Sequence, residues 1–308
     1  MVCAAPPSGK QFSLHLGDST AVVTEVGGGL RSYCVDGVEL LDGFAAHEMC
    51  SGARGQTFIP WPNRIADGRY GFRDAAHQLP LTEPSAHNAI HGLTRWADWH
   101  LTNSNGHSIT LQHVLHARPG YPFPLRCQIS YRLGSRGLSV ETRATNTGTT
   151  PCPYATGAHP YLSLGAARVD DLVVELPAAA YYPTDDRGIP TSRQPVGGTM
   201  YDLRAATTLG DRVLDTAFTE LDRDADGGSS VTVRSPVGRE VQLWMDAAYR
   251  YVELFTGDSL PEPGRRRRGL GVEPMTAAPN AFVTGDGLTV LEPGETHIAT
   301  WELRPGGR

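Results

Sequence analysis

Lysine and arginine are the minority charges in this 308-residue chain, 27 against 33 aspartates and glutamates, for a formal net charge of −6. Phosphate backbones and anionic lipid are recognised through a basic face that releases counterions, so neither a nucleic acid nor a membrane is an expected partner. A small neutral ligand fits better. Long apolar runs are missing as well: nowhere do about 18 apolar residues follow one another, as a membrane-spanning helix requires. The opening stretch MVCAAPPSGKQFSLHL has no apolar segment of signal-peptide length, and a soluble, cytoplasmic protein is expected. Cysteine is scarce. Cys3, Cys34, Cys50, Cys127 and Cys152 are odd in number and contain no C-x-x-C pair, so neither a disulfide framework nor a zinc site is visible.

Helical patterning is absent too, since no window of eleven or more residues holds a clean i, i+3, i+4, i+7 apolar stripe. What the chain has instead is turns and alternation. Its 35 glycines and 23 prolines far exceed the roughly 12% of an average protein, with no low-complexity block to absorb them. In Ser108 to Leu115, Ile109, Leu111 and Leu115 share one face of an extended strand while Thr110 and Gln112 take the other. Gln11 to Leu16, Ala21 to Val26, Arg31 to Val35, Arg126 to Leu133, Leu138 to Ala144, Val241 to Met245, Tyr249 to Phe255 and His297 to Leu303 read alike. Asp36-Gly37, Arg136-Gly137, Asn146-Thr147-Gly148, Asp226-Gly227-Gly228 and Pro293-Gly294 punctuate them. The expectation is an all-β chain with few short helices, antiparallel sheets packed face to face, and a single domain over residues 1–308.

Four segments break the strand rhythm. In Pro60-Trp61-Pro62-Asn63-Arg64-Ile65 two prolines fix φ and set Arg64 on a stiff element. In Ile90-His91-Gly92 a glycine follows a histidine and lets the backbone approach something closely. Pro160 biases His159 to an extended conformation, and Pro274 does the same for Glu273. A carboxylate among apolar neighbours is costly, so Glu273 needs a partner or a raised pKa. Each segment also has a structural reading: a surface arginine beside a packed tryptophan, or a core histidine. Trp61 and Tyr161 read as core aromatics. Arg265 to Arg268 reads as a solvated loop, with an anion site as the alternative.

Among chemistries, a metal centre is not expected. There is no H-x-H, and His113 and His116 would point to opposite faces of a strand. A serine or cysteine nucleophile lacks its G-x-S-x-G or an adjacent histidine, and no two acids are paired as glycosidic cleavage needs. Metal-free acid–base chemistry asks for less, one imidazole and one carboxylate around a polar ligand.

Taken in order, the Pro60 to Ile65 segment, Ile90-His91-Gly92, Gly157-Ala158-His159-Pro160-Tyr161, Leu214-Asp215 with Phe218, and Val272-Glu273-Pro274-Met275-Thr276 resemble the aldose 1-epimerase (galactose mutarotase) family. Tyr201 to Arg204 and Leu291 to Glu295 extend the likeness over nearly the whole chain. The resemblance implies a large antiparallel β-sandwich of the galactose mutarotase-like type and interconversion of the α and β anomers of a free aldohexose. It implies no cofactor and no metal, a sugar as partner, and a monomer or homodimer. By the same resemblance Glu273 is the general base for the anomeric hydroxyl and His159 the general acid for the ring oxygen, while Arg64, His91 and Asp215 bind the sugar. These roles lead one to expect His159 and Glu273 on opposite sides of one sugar-sized cleft. The Glu-Pro-Met-Thr motif resembles a bacterial branch more than the Glu-Thr-Gln form of galactose enzymes. A hexose-6-phosphate 1-epimerase and a non-catalytic carbohydrate-binding protein on the same fold stand as the alternatives.

Overall fold

In the computed structural model the described residues are 5–166 and 168–306; Cys3 lies outside them. Two large sheets dominate, and every strand pairing in them is antiparallel. The nine-stranded sheet runs in space through His100–Ser104, Ser108–Leu115, Leu125–Gly134, Gly137–Asn146, Thr296–Pro305, Glu240–Met245, Ser229–Arg234, Val173–Glu175 and Thr207–Thr208. The eight-stranded sheet contains Gln194–Pro195, Ala178–Tyr182, Asp215–Leu221, Tyr251–Phe255, Leu270–Met275, Gly157–Ala158 and Thr57–Phe58 in that order, with Tyr161–Leu162 also paired to Leu270–Met275. A four-stranded sheet formed by Gln11–Leu16, Ser19–Thr24, Leu30–Val35 and Val38–Glu39 completes the frame. The α-helix among the described residues is the single turn Ala281–Thr284.

The alternation read from the sequence is the alternation of burial. Gly137–Asn146 buries every second residue along its length, because one face of its sheet meets the core and the other meets solvent. One contiguous apolar cluster holds the inward side chains of both large sheets. Leu111, Ile129, Val140, Leu243 and Trp301 come from the nine-stranded sheet, and Phe218, Val252, Leu254 and Val272 from the eight-stranded one. Each such side chain, taken out of water, contributes about 1.5–3 kcal/mol. The molecule is therefore a β-sandwich. Of the aromatics, Trp61 is core: it is buried edge-on to the Phe282 ring at 5.7 Å.

The arginine run departs from the expected solvated loop. Arg267 is buried, with its guanidinium donating to both oxygens of Asp258 (2.9 and 3.1 Å) and to Asp170 (3.2 Å). Arg265 reaches Asp42 (3.2 Å) and Glu48 (2.9 Å). Acidic residues from distant loops fold onto the run, so these two cations fasten the loop down. Arg266 and Arg268 are the exposed members.

Candidate active site

Backbone register assembles the site. Gly157 pairs with Met275 and Tyr161 pairs with Gly271, which brings His159 level with Glu273 on the neighbouring strand Leu270–Met275. On its other side Glu273 stands directly opposite Glu253 of Tyr251–Phe255. Residues opposite each other in an antiparallel ladder share a face, so His159, Glu273 and Glu253 form a row across three strands. Asp215 lies on the same face one strand further, two residues before Ala217, which pairs with Glu253. The opposite face of these strands, carrying Val252, Leu254 and Val272, is the sandwich core. All six residues of Leu270–Met275 are buried, because the pocket wall covers one face and the core the other.

Arg64 and His91 come from a two-stranded ribbon, Arg64–Ala66 with Asn88–Ile90. Its corner is held in an uncommon backbone state: Asn63 (φ 53°) and His91 (φ 61°) are both left-handed, a conformation that side-chain-bearing residues keep only when their surroundings impose it. The two are cross-linked. The His91 backbone N–H donates to the Asn63 carbonyl (2.9 Å), and the Asn63 backbone N–H donates to His91 Nδ1 (3.2 Å). Gly92 has the close approach expected of it: a Cβ there would come within 2.3 Å of the Ile59 carbonyl oxygen.

These residues line a pocket of about 380 Å³, within the range of small-molecule sites. His159, Glu273, His91, Arg64 and Asp215, all five singled out from the sequence, converge on it. His159 and Glu273 do not face each other across the pocket as expected. They are side by side, with Nε2 and Oε1 3.0 Å apart, because His159, in the break between Gly157–Ala158 and Tyr161–Leu162, lies beside the strand that carries Glu273. Both are buried, His159 at 4% and Glu273 at 2% exposure. Glu273 Oε2 and His159 Nδ1 have no hydrogen-bond partner among the described residues.

The electrostatics follow from that burial. Burial first, then the Arg54 charge, pushes His159 down to about 3. Arg54 stacks over Tyr161 (4.6 Å), which stacks on His159 (4.5 Å), and Arg54 is itself ion-paired with buried Asp42 (3.2 Å). Burial and then the nearby Asp215 charge hold Glu273 well above the usual carboxylate range, with Arg64 pulling the other way. Burial thus disfavours the charged form of both groups, the imidazolium and the carboxylate. His91 is held far below the ordinary histidine value by burial and by the neighbouring His159, Arg95 and Arg64. A neutral ring whose Nδ1 accepts the Asn63 N–H carries its hydrogen on Nε2, so His91 is a fixed donor.

Arg64 is less free than expected. Its fork is taken by Glu83 (Nε to Oε2 2.9 Å, Nη2 to Oε1 3.1 Å), with Asp215 at 3.5 Å. Burial opposes its charge, but the Glu83 hydrogen bonds and the Asp215, Glu83 and Glu253 charges outweigh it and raise its pKa. Glu83 and Glu253 were not singled out from the sequence, nor was Trp96, which is half exposed at the rim beside exposed Met49. His91, His159 and Glu273 offer ligand atoms within 4.8 Å of one another, the donor composition of a two-histidine, one-carboxylate metal centre. The absence of H-x-H did not anticipate this, since three separate elements supply the set. The hydrogen on His91 Nε2 and the Asn63 bond to Nδ1 leave that ring no lone pair for a metal, so the trio fits a polar organic ligand better.

The pocket thus brings a buried imidazole and carboxyl into contact among further polar side chains, in a β-sandwich frame suited to a polar organic ligand. The aldose 1-epimerase family model matches residues 10–304, and the chain belongs to that family. It is 36% identical to the uncharacterized protein YihR of Escherichia coli (strain K12) over 94% of this chain and 91% of that one. It is also 33% identical to galactose mutarotase of Mus musculus, over 50% of this chain and 46% of the mouse protein. Galactose 1-epimerase from Lactobacillus acidophilus has the same fold (TM-score 0.82, 20% identity, 96% of this chain and 95% of that one). So does an aldose epimerase homologue from C. elegans (TM-score 0.85, 18% identity, 96% and 98%). The chain is an isomerase with a mutarotase-like function. No helix among the described residues is long and apolar enough to cross a membrane.

Proposed function

We propose that the chain interconverts the α and β anomers of a free aldohexose by acid–base ring opening, with His159 and Glu273 as the catalytic pair. The observation that carries this reading is the buried 3.0 Å contact between His159 Nε2 and Glu273 Oε1 at the pocket floor. The anomeric hydroxyl O1 and the ring oxygen O5 are bonded to the same carbon, so an acid and a base side by side reach both at once. With the shared proton on His159, Glu273 takes the O1 proton while His159 protonates O5. The C1–O5 bond breaks and O1 becomes the aldehyde oxygen. The proton is then on Glu273, which is the tautomer that burial favours in the free protein. Rotation about C1–C2 presents the other aldehyde face. His159 removes the O5 proton, O5 attacks C1, and Glu273 returns a proton to O1, so the cycle closes with no net proton gained or lost. His91 Nε2–H donates to the ring oxygen or a neighbouring hydroxyl, and Asp215 and Arg64 hold further hydroxyls.

Polarimetry or exchange NMR on freshly dissolved α-glucose and α-galactose tests the reading. Glu273→Gln and His159→Asn each lower kcat at least about 10²-fold with the circular dichroism spectrum retained, the loss expected when a positioned proton-transfer group is removed. An aldose panel that equilibrates no faster than in buffer overturns the reading.

One observation favours a second reading, in which the hexose carries an acidic group away from C1, as a hexose 6-phosphate does. Arg95 lines the same pocket, half-buried, and among the described residues its guanidinium makes no ion pair or hydrogen bond. Arg64 and Arg54 are both paired with carboxylates. A cation left unpaired in a pocket wall favours an anionic ligand group. Here kcat/KM for glucose 6-phosphate or glucuronate exceeds that for glucose about tenfold or more, and Arg95→Gln removes the difference. Equal values in the unmodified protein rule this reading out.

A further inference from the structure

Three carboxylates, Asp215, Glu253 and Glu273, share one stretch of sheet face, the two glutamates buried and Asp215 exposed at its edge. Glu253 and Glu273 are partners in the ladder, and Asp215 sits on the adjoining strand two residues from the partner of Glu253. Glu253 is 3% exposed and Glu273 2%. The cation facing the three is Arg64, which is shared with a fourth carboxylate, Glu83. Glu253 has no access to the pocket and no cation within ion-pairing distance among the described residues, and a full negative charge on it, beside Glu273 and Asp215 and with Arg64 already held by Glu83, would be unsustainable in so dry a place.

We infer that Glu253 is a neutral carboxylic acid that positions the site: its O–H donates to Asp215 and its other oxygen accepts the Asn63 side-chain amide, joining the sugar-binding acid, the base strand and the His91 corner. The Asn63 Nδ2 to Glu253 Oε2 distance is 3.2 Å. Asn63 in turn fixes His91 through Nδ1 and receives the Arg64 backbone N–H on its own Oδ1 (2.8 Å). One residue outside the pocket thus sets four that line it, Asn63, His91, Arg64 and Asp215. The groups facing Glu253 agree with this state: burial first, then the Asp215 and Glu273 charges, raise its pKa well above the carboxylate range, while Arg64 works against them. Were Glu253 to ionise, a second anion would stand beside the base, and Asn63 and Asp215 would lose the proton that ties them together.

The role rests on the mutarotase reading, but the protonation state does not, and the experiment separates the two. Infrared difference spectroscopy of the sugar-free protein at neutral pH, in the carbonyl-stretch region of protonated carboxylic acids, shows a band that Glu253→Gln removes and Glu273→Gln leaves. Failure of Glu253→Gln to remove any intensity overturns the inference even if no sugar turns over. In kinetics, Glu253→Ala lowers kcat about tenfold or more, as misplaced catalytic groups do, and Glu253→Gln, whose amide both donates and accepts, restores most of the loss. A Gln variant as inactive as Ala overturns the positioning role.

Discussion

His159 and Glu273 are each extreme in opposite senses, a histidine pushed down to about 3 and a carboxyl held high, and the sign of the resulting pH dependence follows. In the proposed mechanism the form that turns over holds one proton between the two groups. Activity is lost on the acid side only when a second proton enters, which a histidine depressed this far resists until the pH is well below 6.5. Rates from exchange NMR should stay level from about pH 7 down to about pH 5, where an isolated histidine would already be mostly protonated. An acid limb centred at the ordinary histidine value would contradict the proton count. At this scale the sequence was informative where a residue sat in an odd local setting. His159 and Glu273 each precede a proline, and His91 precedes a glycine that had to be small. Glu253 and Glu83 gave no such sign. Glu253 lies in the plain strand sequence YVELF, and only its register opposite Glu273 gives it meaning.

Among elements, the strands with one solvated face were legible because period two is the imprint of half-burial: Gln11–Leu16 matches residue for residue, and Gly137–Asn146 extends the predicted span at both ends. Leu270–Met275 was not legible as a strand, since burial on both faces erases the alternation. The loop carrying Arg265 to Arg268 was misread for the converse reason. A charge run looks solvated until the acids that meet it, Asp42 and Asp170, are brought from elsewhere in the chain to join nearby Asp258. Arg267→Ala should therefore cost about 3 kcal/mol, as breaking a buried ion pair does. Arg268→Ala, exposed and 3.8 Å from Asp42, should cost under about 1 kcal/mol. Chemical denaturation midpoints measure both, and equal losses would mean that the Arg267 network does not anchor the loop.

The whole molecule closes around one apolar cluster that draws on both large sheets and the four-stranded sheet alike. A chain so joined should unfold as one unit. Calorimetry should give one transition whose calorimetric and van't Hoff enthalpies agree, and two separable transitions would divide the chain into domains. At this scale the ordered motifs were enough to give fold and family, but not their convergence: Arg64 and Glu273 are brought together by sheet pairing that no local pattern encodes. The two imidazoles show what that convergence achieves. His91 lies flat on Phe58 at 3.8 Å and His159 flat on Tyr161 at 4.5 Å, so both rings have lost their rotational freedom before any sugar arrives. A floor frozen in advance has little left to adjust to the ligand. Choice among sugars then belongs to the rim, where Met49, Arg95 and Trp96 stand, and such a scaffold is free to change its diet by substitution at its lip while its proton-moving floor stays as it is.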